Sequence, residues 1–180
     1  MGSRIILPYG ESGEYIQKII PHDCSSVSGL NLPSFDEYLD THFLDLQSID
    51  KPEIKTAIEQ QYNEWFTWFN ATEDARRLLA PIVGTDWSED SIPILYFPRF
   101  TPLLDEGRVY SLNNNENLII MGMRLQRFGI EEDDVTDFFR EIPLVCAYLN
   151  LNEEDIINNP SNIGYNPTFG LRIIDYGLNG

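Results

Sequence analysis

His22, Asp23 and Cys24 stand side by side early in the chain, and His42 lies further on. A His-Asp dipeptide ligates a metal when another histidine lies upstream and a distant aspartate completes the set. Here the only other histidine lies downstream, so no metal site is expected. His42 falls on the apolar stripe of a candidate helix, where a boundary histidine packed against Phe35, Leu39 or Phe43 is the simpler reading. Cys24 and His22 are two residues apart, a spacing that rarely aligns a nucleophile with its base, and no G-x-S-x-G elbow exists for a serine. Asp50, Glu53 and Lys55 are the residue types that a metal-dependent nuclease uses. In such a site the aspartate lies well upstream on a separate strand. Here all three fall at one helix start, where capping and the helix dipole account for them.

Glu131, Glu132, Asp133 and Asp134, followed by Asp137, are the densest run of acids. Calcium ligands in a loop alternate and converge, whereas contiguous acids point around a helix start. These five read as N-terminal helix charge and as a contact surface for a basic partner. Asp36, Glu37, Asp40 and Asp45 form a second acidic surface on an earlier helix. Phe66, in a segment crowded with Tyr62, Trp65 and Trp68, lies about 40° beyond the apolar stripe and is a candidate exposed contact. No glycine-rich phosphate loop is present, and no cofactor is expected.

These acids belong to a chain-wide excess. Among 180 residues, 29 Asp and Glu face 12 Lys and Arg, a formal net charge of −17. Residues 1–90 hold 16 acids and 6 bases, and residues 91–180 hold 13 and 6, so neither half stands apart. Such a field repels nucleic acid and anionic membrane and speeds association with basic proteins. An apolar fraction of 42% with 12% aromatics is too hydrophobic for a disordered acidic tail, so the charge must coat a real core. Cys24 and Cys146 leave one disulfide or two thiols open, and their sparse use favours reduced thiols. No signal peptide is visible, and no run approaches the ~20 apolar residues that span a bilayer. A cytoplasmic protein is therefore expected.

The elements that must position these residues follow from periodicity. Residues 1–33 read as a loop-rich lead-in, with a short strand at Ile5–Leu7 and a helical turn at Glu14–Ile20. Ser34 and Glu37 form a capping box ahead of a helix carrying Phe35, Tyr38, Leu39, His42, Phe43 and Leu46 on one face. Asp50 and Pro52 open a second helix. Its broad face holds Ile54, Ala57, Ile58, Gln61, Tyr62, Trp65, Trp68 and Phe69, and its wet face includes Thr67. Thr72 caps a shorter helix through about Ala80. A strand is expected at Ile92–Pro98, and a hairpin with strands at Arg108–Leu112 and Leu118–Leu125 around an Asn-rich turn. Asp133 or Asp134 caps a third main helix, kinked or split at Pro143. Asn152 opens a short turn, and a last strand covers Phe169–Tyr176. Helices first and strands later predict a single α+β domain over 1–180: a helix-rich N-terminal half with a small antiparallel sheet, its hairpin near 108–125 and its last strand near 169–176.

The function expected from this pattern is an acidic, non-enzymatic binding protein that captures and neutralises a basic partner such as a toxin, a nuclease or another nucleic-acid-binding protein. Immunity proteins, defence inhibitors and DNA mimics work on this physical logic. Two alternatives remain open: a structural or assembly component of a phage or secretion machine, and an enzyme whose site gathers scattered residues such as His22, Asp23, His42 and Glu64. Oligomeric state is not legible.

Overall fold

The structure, a computed structural model, describes residues 5–19, 52–86, 94–104 and 115–176. Asp36, Glu37, Asp40, Asp45, His22, Asp23, Cys24, His42 and the capping-box helix lie outside the described residues, as does the expected strand at Arg108–Leu112. The fold is mixed α+β, with five α-helices and two small antiparallel sheets among the described residues. Helices fall in both halves of the chain. The chain divides into two compact units, residues 1–66 with 82–98 and residues 67–81 with 99–180.

The first unit is built on β1 (Ile5–Tyr9), β2 (Tyr15–Ile19), β3 (Gly84–Asp86) and β4 (Ile94–Pro98), in the order β1-β2-β4-β3. Within the expected lead-in loop, residues 5–19 form a hairpin, and Tyr15–Ile19, inside the expected helical turn at Glu14–Ile20, is a strand. The alternation of Ile16 and Lys18 with Tyr15 and Gln17 has period 2, and pairing with β4 gives the segment a sheet to join. Glycine makes the turn possible: Gly10 and Gly13 adopt φ of 95° and 66°. The Glu14 carboxylate accepts from the Ser12 amide at 2.9 Å and the Ser12 hydroxyl at 3.0 Å. Backbone amides and that hydroxyl hold its pKa below the usual carboxylate value.

Cross-strand register puts Lys18, Leu95 and Phe97 on one buried face. Helix α1 (Pro52–Asn70) supplies Ala57, Ile58, Gln61, Tyr62 and Glu64 to the same unit's core. Lys18 Nζ donates to both Glu64 oxygens, at 3.2 and 3.1 Å, and lies 4.6 Å from the Phe97 ring centre. Gln61 Nε2 donates to the Lys18 carbonyl at 2.7 Å. The opposite sheet face carries Leu7, Tyr9, Tyr15 and Tyr96, of which all but Tyr96 are exposed.

In the second unit, Thr72 caps α2 (Glu73–Arg76) through its side chain, as expected, but the helix ends four residues early. Residues beyond it are drawn into a sheet instead: Leu79 bridges Ile173, the Ala80 amide donates to Ile173 O, and the Ile173 amide donates to Leu78 O. Helix α1 has no basic residue in its own last turn. Arg76 takes that role, donating to the Trp68 and Phe69 carbonyls at 2.9 and 2.8 Å. Within α1 the expected faces need two corrections. Thr67, placed on the wet face, is buried, and Phe69, placed in the core, is exposed.

Helix α3 (Asn115–Phe128) replaces the second strand of the expected hairpin. Leu125 and Phe128 recur at helical spacing with Met121, and long unbranched Met, Arg, Leu and Gln favour a helix. Tertiary contacts then fix it: Arg124 donates to Pro102 O at 3.1 Å, and the Phe128 ring stacks on Tyr165 at 4.6 Å. Left-handed Gly129 (φ 71°) stops it, with the Ile130 amide bonded to Leu125 O.

Helix α4 (Glu132–Leu149) begins before its expected caps. Glu131 occupies the cap position without a side-chain hydrogen bond, and Asp133 and Asp134 lie inside the first turn. The reversal at Gly129 sets the start, and the acids contribute to the dipole rather than to capping. Pro143 sits inside α4 without splitting it. The proline removes one backbone bond, but buried Phe138 and Ile142 before it and Val145 and Cys146 after it anchor both halves. Asn150 ends the helix at φ 57°. Asn152 caps α5 (Glu153–Ile157), as expected. Strands β5 (Thr101–Pro102), β6 (Ile163–Asn166) and β7 (Gly170–Ile173) complete a second sheet in that order, with β7 inside the expected last strand. A Cβ on Gly164 would lie 2.9 Å from Phe100 Cβ, so only glycine lets β6 run there.

Cys146 is 2% exposed and carries a free thiol. Burial, with the Glu153 carboxylate adding to it, pushes its pKa from an ordinary 9.0 up to about 11. The unfolded chain therefore sheds this proton first as pH rises. Below pH 9 both states hold it and stability is unaffected. From pH 9 to 11 stability falls, by about 2 kcal/mol at the upper end. Buried Tyr62, also raised by desolvation, acts in the same direction. Urea midpoints at pH 8 and pH 10.5 should show a larger alkaline loss in the wild type than in Cys146→Ala. Equal losses would remove the thiol from the account.

Candidate functional site

On α4, residues Asp134, Asp137, Glu141, Leu144 and Tyr148 recur at steps of three and four and so form one stripe. The stripe lies about 100° around the helix from the buried Phe138–Ile142–Val145 face, since each residue advances about 100°. All five side chains are exposed. Leu144 and Tyr148 reach 69% and 63% exposure, unusual for large apolar side chains one turn apart.

Two clefts run end to end beside this stripe. One, of about 440 Å³, is lined by Glu131, Asp134, Asp137 and Glu141 on the helix side and by Tyr165, Gly170 and Leu171 opposite. The other, also about 440 Å³, is lined by Leu144, Val145 and Tyr148 on α4 and by Thr72, Asp74 and Ala75 opposite. Arg77, Leu78 and Glu141 line both and join them into one groove.

The wall across from α4 is fixed by the second sheet. Arg172 Nη1 donates to the Arg76 and Leu79 carbonyls at 2.9 and 3.0 Å, and Tyr176 Oη donates to Ala80 O at 2.7 Å. Burial lowers the Arg172 pKa, with the nearby Tyr176 opposing that shift. Arginine begins so far above neutrality that its charge persists.

Electrostatics differ between the groove's ends. Four carboxylates and one cation, Arg77, line the first cleft. Arg77 leans toward Asp74 at 3.8 Å, both side chains being well exposed, so solvent screens the pair. Asp137 meets Arg140 at 3.4 Å, also in the open. The first cleft therefore keeps a net negative field, and one helical turn further on exposed Leu144 and Tyr148 stand across from Thr72, Asp74 and Ala75.

The fold thus brings Glu131, Asp134 and Asp137 together in the groove. Glu132 and Asp133 are exposed but line neither cleft. Phe66 belongs to the first unit, half-buried on α1. Sequence reasoning missed Glu141, Leu144 and Tyr148. Their signal is present as a heptad continuation of Asp134 and Asp137. Glu64, a candidate for a scattered active site, is 1% exposed and paired with Lys18.

Among the described residues no group of three or more His, Cys, Asp or Glu is placed to hold a metal ion, and no helix is long and apolar enough to cross a membrane. No protein-family model matches the chain, and neither the curated proteins nor the solved structures contain a significant match to it.

Proposed function

We propose that the protein is a non-enzymatic acidic binding protein that captures and neutralises a basic protein, in the manner of an immunity protein or defence inhibitor. The observation that carries this reading is the groove along α4, where Glu131, Asp134, Asp137 and Glu141 face one solvent-screened cation. Carboxylates held open on a rigid helix steer a cationic partner and stand where phosphates would stand on its usual ligand. The net charge of −17 extends that steering over the whole surface.

A pull-down from the native source with wild type and an Asp134→Asn/Asp137→Asn/Glu141→Gln variant tests it. Strongly basic proteins should be enriched by the wild type and lost by the variant. Their association rate should fall about tenfold or more from low to physiological ionic strength. Partners of ordinary charge, or retention by the variant, would overturn the reading.

A structural or assembly role is the second reading. It is favoured by exposed apolar pairs one turn apart, Ile119 with Met123 on α3 and Leu144 with Tyr148 on α4. It predicts salt-insensitive self-association at high concentration, measurable by light scattering.

A further inference from the structure

We infer that the groove's occupant is an amphipathic helix of the basic partner, with its cationic half beside Asp134–Glu141 and its apolar half on Leu144 and Tyr148. This inference rests on the capture reading and names the form of what is captured.

The groove offers contacts at positions 134, 137, 141, 144 and 148, a 3.5-residue repeat. A helix laid along α4 meets such a stripe once per turn, whereas an extended chain, with its period of 2, does not. The nearest strand leaves only a short free edge for strand addition. At the end of β7 the outward backbone groups of Ile173 are taken by residues 78–80, through the Leu79–Ile173 bridge and the backbone bonds of Ile173 to Leu78 and Ala80. From Asp134 to Tyr148 is about 21 Å along the axis, or four turns, so the matching segment is about 15–18 residues long.

Charge sets its polarity of composition. The acidic cleft, lined by four carboxylates and one arginine, would repel an acidic face. Exposed Leu144 and Tyr148, beside Ala75 and Leu78 in a cleft that also holds Asp74 and Arg77, would leave a wholly basic helix without an apolar counterpart in its last turns. Carboxylates alone attract any cation, while Leu144 and Tyr148 call for an apolar counterpart at a fixed distance from the charge.

The probe is a pair of designed helical peptides of about 17 residues and identical composition. In one, three Arg and then two Leu share a face at steps of three and four. In the other, the Arg and Leu fall on opposite faces. Calorimetric titration at low and physiological salt should show the matched peptide binding about tenfold or more tightly than its isomer. Leu144→Ser/Tyr148→Ser should lose about tenfold at both salt concentrations, and far-UV circular dichroism should show the fold kept, since both side chains are exposed. Asp134→Asn/Asp137→Asn/Glu141→Gln should lose affinity at low salt and with it most of the salt dependence.

Equal binding of the two peptides, no detectable binding of either, or an unaffected Leu144→Ser/Tyr148→Ser variant would overturn the helix inference. If that variant is unaffected while the triple variant loses both peptides, capture by charge stands and only the helical occupant falls. If the triple variant keeps both peptides at full affinity, the capture reading falls as well.

Discussion

Lys18→Met is expected to cost about 3–5 kcal/mol of stability, because it leaves the Glu64 carboxylate buried without its cation. Lys18 is 3% and Glu64 1% exposed, and both carboxylate oxygens lie within 3.2 Å of Lys18 Nζ. A carboxylate so enclosed cannot recover its hydration from water when the ammonium that bonds both of its oxygens is truncated. Glu64→Leu should be comparably costly, because it removes the carboxylate from a buried ammonium. The double variant Lys18→Met/Glu64→Leu should regain most of the loss, since two apolar groups of similar size need no compensation. Urea unfolding of the three variants measures this. Single-variant losses below about 1 kcal/mol, or a double variant as weak as the sum of the singles, would contradict it.

The pair also explains a choice of register. Slipping β2 by one residue would turn Lys18 onto the face that carries Tyr9, Tyr15 and Tyr96 and would bury Gln17 in its place. Glu64 accepts only the register in which Lys18 points toward α1. The Gln61 side chain, bonded to the Lys18 carbonyl at 2.7 Å, fixes the same residue from its backbone.

Ile142→Ala is expected to cost about 2–5 kcal/mol, and Ile142→Val about 0.5–1.5 kcal/mol. Ile142 is fully buried at the centre of α4, between Phe138 and Val145 on the same face. Its neighbour Glu141 faces the groove. Deleting the core side chain therefore weakens the seating of α4 while leaving the groove's charges in place. The urea midpoint should fall with little change in slope, and affinity for the matched peptide under native conditions should stay within about twofold. A loss below about 1 kcal/mol would mean that α4 is held by something other than its buried face.

Much of the local structure was legible. Thr72 and Asn152 cap the helices they were expected to cap, because an N-cap is a short-range hydrogen bond written in a few adjacent residues. Helix α1, strand β4 and strand β7 follow from periodicity and proline placement. Failures cluster where a local signal competes with a distant partner. Tyr15–Ile19 has five residues compatible with either state, and β4 decides for a strand. Asn115–Phe128 carries an Asn-rich start and β-branched Ile119 and Ile120, yet Pro102 and Tyr165 hold it as a helix. Pro143 breaks a helix only where neither half has an anchor.

The candidate site divides in the same way. The acids at 131–137 and their lack of compensating lysine are properties of the chain, and they alone dictate a negative surface there. The groove is not a property of α4 by itself. It exists because Arg172 and Ile173 clip residues 76–80 into a wall opposite the helix, nearly a hundred positions away in sequence. Periodicity reports which residues share a helix face, but burial depends on what packs there. Only tertiary structure could therefore separate Ile142, sealed in the core, from Leu144 and Tyr148, left facing water.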